Sequence, residues 1–172
     1  AARGEPFPLL ATVPPAPVPK APFELVSDRL LGRDAPYDYL LAISHDLEDK
    51  AARTDAPIMV ATFQDADRFT GLTKQRYEAL ARHASLIGAV AEGLAEEPAP
   101  GVRGAHLHPA DPIRHDWNVV VLAPHFAAAL IARDLTASGP VRSRRYDYAV
   151  THTPSTVTLA AQSRLDRLVP IG

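Results

Sequence analysis

Three short apolar runs constrain this chain more than anything else in it: Pro57-Ile-Met-Val-Ala-Thr-Phe63, Leu86-Ile-Gly-Ala-Val90 and Trp117-Asn-Val-Val-Val-Leu122. Each is bounded by turn formers and reads as a buried strand. The third is the strongest, being rich in β-branched residues. Ahead of the first run, Tyr37, Leu40, Leu41, Leu47 and Ala51 recur at helical spacing and predict a helix to about Arg53. Asp34 is expected to cap it, with Pro36 in its first turn. A second helix is expected from Thr73 to Ala84, with Tyr77, Leu80 and Ala81 inward. Helix–strand–helix–strand order implies crossover units and parallel pairing.

The later chain reads differently. Val102–Leu107 suits a short strand, and Arg144–Thr151 alternates as a strand does. Residues 127–135 fit helix or strand, and strand is taken. Pro124-His-Phe126 and Gly139-Pro140 punctuate these segments as turns. Pro154–Leu168 reads as a closing helix offering Val157, Leu159, Ala160, Leu165 and Leu168 to the core. Hairpins and antiparallel pairing follow. The expected fold is α/β, with α+β as the alternative: one mixed β-sheet with helices packed on it, in a single domain.

Proline marks the boundary. Seven of the 17 prolines fall between Pro6 and Pro22. A stretch so rich in proline forms neither helix nor ladder and stays extended. Residues 1–22 are therefore expected to be a disordered linker or tail, and residues 23–172 the folded domain. It opens with Phe23-Glu-Leu-Val26 as a short strand or helical turn. At 172 residues the chain is long enough for one substantial core. With no cysteine there is no disulfide, thiolate metal site or cysteine nucleophile. A formal net charge of -2 gives no reason to expect direct binding to nucleic acid or an anionic membrane. No apolar run approaches the roughly 20 residues of a membrane helix, and no secretory signal is evident. The expected location is cytoplasmic.

Several residues could carry chemistry. On the first helix, Ser44 and Glu48 share a side with the apolar stripe, and His45 lies within reach of Glu48 and Asp49. A carboxylate there either points into a ligand cavity with Ser44 or pairs with an arginine such as Arg133 or Arg29, because buried charges are usually paired. Gln64 ends the first buried strand, and ligands gather beyond the carboxyl ends of parallel, central strands. Trp117, the sole tryptophan, is either a pocket wall or a core plug. Arg133 and Asp134 are adjacent on a strand and must face opposite ways. Either could meet a cavity. His106, His108 and His115, with Asp111, are the residue types that bind a divalent ion, although Pro109 and Pro112 make their segment a loop. Arg142, Arg144, Arg145, Arg164 and Arg167 read as a solvated basic face. There is no G-x-S-x-G elbow, P-loop, G-x-G-x-x-G or H-E-x-x-H string.

Five strings in order, Asp28-Arg-Leu-Leu-Gly-Arg33, Ile43-Ser-His-Asp-Leu-Glu-Asp49, Val60-Ala-Thr-Phe-Gln64, Asp116-Trp-Asn-Val-Val-Val-Leu122 and Phe126-Ala-Ala-Ala-Leu-Ile-Ala-Arg-Asp-Leu135, resemble the DICT sensory domain. The resemblance runs from about Phe23 to Leu168. It implies a regulatory input domain of bacterial signalling or transcription control, not an enzyme, working with a signalling or transcription-regulatory partner or a fused output domain. It carries no ligand or catalytic residues with it and names no cofactor. Ser44, His45, Glu48, Gln64, Trp117 and Arg133 are thus the candidate contacts for a small-molecule ligand. The alternatives are a small metal-dependent enzyme built on the histidine loop, or a protein-interaction scaffold. Oligomeric state stays open, a homodimer included.

Overall fold

The computed structural model describes residues 22–136 and 139–168. The proline-rich stretch lies outside them except for Pro22, which opens the first helix, α1 (Pro22–Val26). A short strand, β1 (Gly32–Pro36), leads directly into α2 (Tyr37–Ala52). Then follow β2 (Ile58–Asp65), α3 (Gly71–Ala81), β3 (Leu86–Glu92), β4 (Arg103–His106), β5 (Asp116–Ala123), β6 (Phe126–Asp134), β7 (Arg145–Thr151) and α4 (Pro154–Leu168). The protein is an α/β domain built on one mixed seven-stranded sheet, in the order β1-β7-β6-β5-β2-β3-β4.

The two halves of the chain pair as their connections demand. β2, β3 and β4 are parallel, with α3 as the crossover from β2 to β3. β5, β6 and β7 are antiparallel to one another. Their first hairpin turns on two residues, because Ala123 pairs with Phe126. β2 is the seam, parallel to β3 on one side and antiparallel to β5 on the other. Residues 127–134 are strand, because their alternate apolar side chains fill two separate cores, whereas Leu135 lies beyond the strand and is exposed.

Those cores lie on opposite faces. On one, α2 and α3 bury Leu40, Leu47, Tyr77 and Leu80 against Met59, Ala61, Val119, Val121 and Leu130 of the sheet. On the other, α1 and α4 bury Phe23, Val26, Val157, Ala160 and Ala161 against Val120, Ala129 and Ile131. Leu168 joins Val60 and Val90 beside them. At the β4 edge the backbones come very close: a Cβ on Gly104 would lie 2.0 Å from the Ala95 carbonyl oxygen, so only glycine fits there.

Three expectations fail. Asp34 does not cap α2. The residue before that helix is Pro36, and no side chain bonds to its first turn. Asp34 instead sits in β1 at φ 54, a conformation that aspartate tolerates better than most residues, and it accepts from Arg145 Nε at 3.0 Å. Leu159 is 51% exposed, not core, because the buried stripe of α4 runs through Val157, Ala160, Ala161, Arg164 and Leu168. Arg164, expected on a solvated face, is fully buried.

Candidate functional site

The carboxyl end of β2 positions the main candidate site. The pairing of β2 with β3 shifts register between Thr62 and Asp65. Such a bulge re-aims side chains, and here both Phe63 and Gln64 meet residues of the α2–α3 face. Phe63 packs on Phe69 and Tyr77, with ring centroids 5.6 and 5.7 Å away. Gln64 is buried. Its Nε2 donates to Asp134 Oδ2 at 2.8 Å, and its Oε1 accepts from the Tyr146 hydroxyl at 3.2 Å. Asp134 also accepts from the Thr136 backbone N–H at 2.9 Å and from Arg144 Nη1 at 3.3 Å. Burial works to raise the Asp134 carboxyl, but the bonds from Thr136 and Gln64 and the Arg144 charge outweigh it and hold it below its ordinary value. Burial raises the Tyr146 phenol, while Arg68 pulls it down through its charge and through side-chain hydrogen bonding to that hydroxyl.

Gln64 brings this network to the edge of a small pocket of about 50 Å³, which Tyr37 and Leu41 from α2, Thr62 and Phe63 from β2, Arg68, Thr73 from α3 and Trp117 from β5 also line. Trp117 is held between Tyr37 and Tyr146, whose centroids lie 5.2 and 5.5 Å from its own. Arg68 ends a 3-10 turn, Ala66–Arg68, immediately after β2. Its guanidinium carbon is 5.7 Å from the Tyr37 ring centre. Its Nε and Nη2 are buried and meet no hydrogen-bond acceptor among the described residues. Gln64 and Trp117 are therefore brought together, whereas Tyr37, Tyr146 and Arg68 escaped sequence reasoning. The charged turn straight after a buried strand was the available signal for Arg68.

Ser44, His45 and Glu48 lie elsewhere, where α2 meets α3. Ser44 and Glu48 are buried. Glu48 Oε1 pairs with Arg76 Nη2 at 3.1 Å, not with Arg133 or Arg29, because Arg76 stands on the neighbouring helix of the same face. Arg76 also reaches Asp49 at 3.3 Å and the His45 carbonyl at 3.4 Å. A groove of about 220 Å³ runs beside them, lined by Glu48, Asp49, Arg76, Leu80 and His83. Burial and the Arg76 charge lower the His45 pKa. Burial raises the Glu48 carboxyl, with Arg76 and Tyr77 opposing. The fully buried Tyr77 phenol is raised well above its usual range, by burial and then by the Glu48 charge beside it.

The raised Glu48 pKa has a pH consequence with a definite sign. The folded state keeps this proton at pH values where the unfolded chain has lost it. Stability therefore falls as pH rises from the ordinary carboxylate value, 4.5, through the raised folded value. Glu48→Gln removes that contribution. Denaturant titrations between about pH 4 and pH 7 are expected to show the variant gaining on wild type as pH rises. A gap that narrows or stays constant would contradict this.

Arg133 belongs to the opposite face. Its Nε lies 3.6 Å from Asp116 Oδ1, and its guanidinium carbon 4.3 Å from the centre of the Phe23 ring. Asp134, its neighbour on β6, faces the Gln64 network. Beneath α4, Arg164 donates through Nε to Thr62 Oγ1 at 3.3 Å and through Nη1 to the Ala160 carbonyl at 3.0 Å. Burial lowers its pKa to about 10, so it remains charged at neutral pH. Asp116 is fully buried, and burial raises its carboxyl against the pull of Arg133 and Arg164. The histidine segment does not converge. His106 Nδ1 accepts from the Gly93 N–H at 2.8 Å, His108 Nδ1 from the Ala110 N–H at 3.0 Å, and Asp111 pairs with Arg167 at 2.8 Å. Among the described residues no group of three histidine, aspartate or glutamate side chains, His115 included, could hold a metal ion.

A search of curated proteins and a search of solved structures each found no match. Residues 35–135, more than half of the chain, match DICT, the sensory domain in diguanylate cyclases and two-component systems. That span runs from the end of β1 through β6 and includes Tyr37, Gln64, Arg68, Trp117 and Asp134. This chain belongs to the DICT family of sensory domains.

Proposed function

We propose that the domain senses a small molecule bound at the carboxyl end of β2, between the start of α2 and the Gln64–Asp134–Tyr146 network. One observation supports this reading above others. A pocket with aromatic walls and a few polar groups lies where a parallel, central strand ends. Its ligand contacts are Gln64 and Trp117 from the sequence reading, with Tyr37 and Arg68 added. Ser44, His45 and Glu48 act in the α2–α3 contact, and Arg133 in the packing of α1. The role is regulatory, without catalysis by the domain itself.

A ligand in this pocket would touch α2 through Tyr37 and Leu41, and three strands through the hydrogen-bonded network. It would therefore favour one seating of α2 on the sheet over another, and that difference in affinity is what shifts a population. The signal passes to a signalling or transcription-regulatory partner, or to a fused output domain. Residues 23–172 form the sensory unit, residues 1–22 a spacer, and the setting is cytoplasmic. No helix of the described residues is long and apolar enough to cross a membrane.

Native mass spectrometry of the protein from its own cells, repeated after denaturation, tests the reading. A small organic molecule released on denaturation is the expected result. A stoichiometric metal, or a bare polypeptide whose melting temperature a concentrated cell extract leaves unchanged, would contradict it.

A further inference from the structure

We propose that the molecule sensed is a small carboxylate, gripped by the Nε–Nη2 edge of Arg68, with its apolar or aromatic body against Tyr37 and Trp117. This inference rests on the pocket reading above and adds the class of ligand. A guanidinium presents its N–H groups in a fixed planar fork, and Nε with Nη2 forms one edge whose two donors match the two oxygens of a carboxylate. On Arg68 both atoms of that edge are buried, and both lack an acceptor among the described residues. Desolvated charged donors without an acceptor are costly, so the arrangement suits a site that a ligand completes.

The acceptors of Gln64 and Asp134 are already engaged. Gln64 Oε1 takes the Tyr146 hydroxyl. Asp134 takes Gln64, Thr136 and Arg144. Tyr37, Trp117 and Phe63 are among the walls of the pocket. One cation, aromatic walls and about 50 Å³ favour a compact monoanion with an apolar body over a phosphate, which needs several donors around it.

Trp117 supplies the readout, because it is the only tryptophan in the chain. Its fluorescence is followed while isobutyrate, benzoate, their two amides and inorganic phosphate are titrated into the wild-type protein and into Arg68→Gln and Arg68→Lys. At least one carboxylate is expected to give a saturable change and to bind about tenfold or more tighter than its amide, the factor a charge-assisted hydrogen bond is worth. Arg68→Gln is expected to remove that preference. Arg68→Lys, which keeps the charge but loses the fork, is expected to weaken it. Circular dichroism and melting curves show whether each variant is folded. In wild type, the Arg68 Nε–H resonance is expected to shift with the same titration midpoint, which tests the contact without any substitution.

Amides that bind as tightly as carboxylates would overturn the carboxylate assignment and leave the pocket standing. Tighter binding of phosphate would overturn it in favour of a phosphorylated ligand. Carboxylate binding unchanged in folded Arg68→Gln would remove Arg68 from the site. No saturable change with any of the five compounds would overturn both this inference and the pocket reading.

Discussion

Replacing Arg164 with methionine lowers the unfolding free energy by about 3–5 kcal/mol, the usual cost of removing one member of a buried charged group. The side chain is fully buried in α4, between Thr62 of β2 and the Ala160 carbonyl. Its loss leaves the Thr62 hydroxyl without that donor, while the Ala160 carbonyl keeps its helical bond from the backbone N–H of residue 164. It also leaves Asp116, fully buried and with its carboxyl already raised, with Arg133 as its nearest cation at 3.6 Å. The double variant Arg164→Met with Asp116→Asn is therefore expected to be more stable than the sum of the two single losses, with a coupling of about 1–3 kcal/mol. Denaturant titrations of all four proteins measure this cycle. Additive losses, or a single-variant cost below about 1 kcal/mol, would show that the buried charges do not act together.

Replacing Trp117 with alanine costs about 3–5 kcal/mol, as large aromatic truncations in a core do. Trp117 is 7% exposed and packed between Tyr37 and Tyr146, so its removal opens a void between α2 and the sheet. Phenylalanine refills part of that space and is expected to recover at least half of the loss. A cost below about 1.5 kcal/mol for alanine would mean that the rings close over the gap. In that case the aromatic walls of the pocket would be adaptable, not rigid.

Most of the central sheet was legible because β5, β2 and β3 are buried and write that burial as short β-branched or apolar runs. The closing helix was legible too, and so was most of its buried face, since Val157, Ala160 and Leu168 are buried; only Leu159 and Arg164 were misplaced. Leu159 has the apolar side chain, yet Arg164 occupies the inner stripe, because its partners Thr62 and Asp116 lie far away in sequence. The 157, 160, 161, 164 and 168 spacing was present in the sequence, and it would have placed an arginine where apolarity argued against one. β1 left no trace, since Gly-Arg-Asp-Ala-Pro neither alternates nor contains β-branched residues. It is a strand only by pairing with β7 at the edge of the sheet.

The site was legible in part for the same physical reason. Gln64 and Trp117 stand at strand ends, where position along the element hints at a pocket. Glu48 was correctly placed on a buried stripe, but its partner depended on which helix shares its face. Arg76 on α3 shares it, and Arg133 points through the sheet to the other side. Arg68, Tyr146 and Asp134 come together only when β2, β6 and β7 are assembled, and no local pattern records that assembly.

The central claim is that a small molecule occupies the pocket at the end of β2. A ¹H–¹⁵N spectrum of the isotope-labelled protein, recorded with and without a low-molecular-weight extract of its native cells, tests it most directly. The Trp117 indole N–H, the Gln64 side-chain amide and the Arg68 Nε–H are expected to move together and to return on dialysis. Perturbations confined to the groove beside Glu48 and Arg76, or three resonances that stay fixed at saturating extract, would contradict the claim.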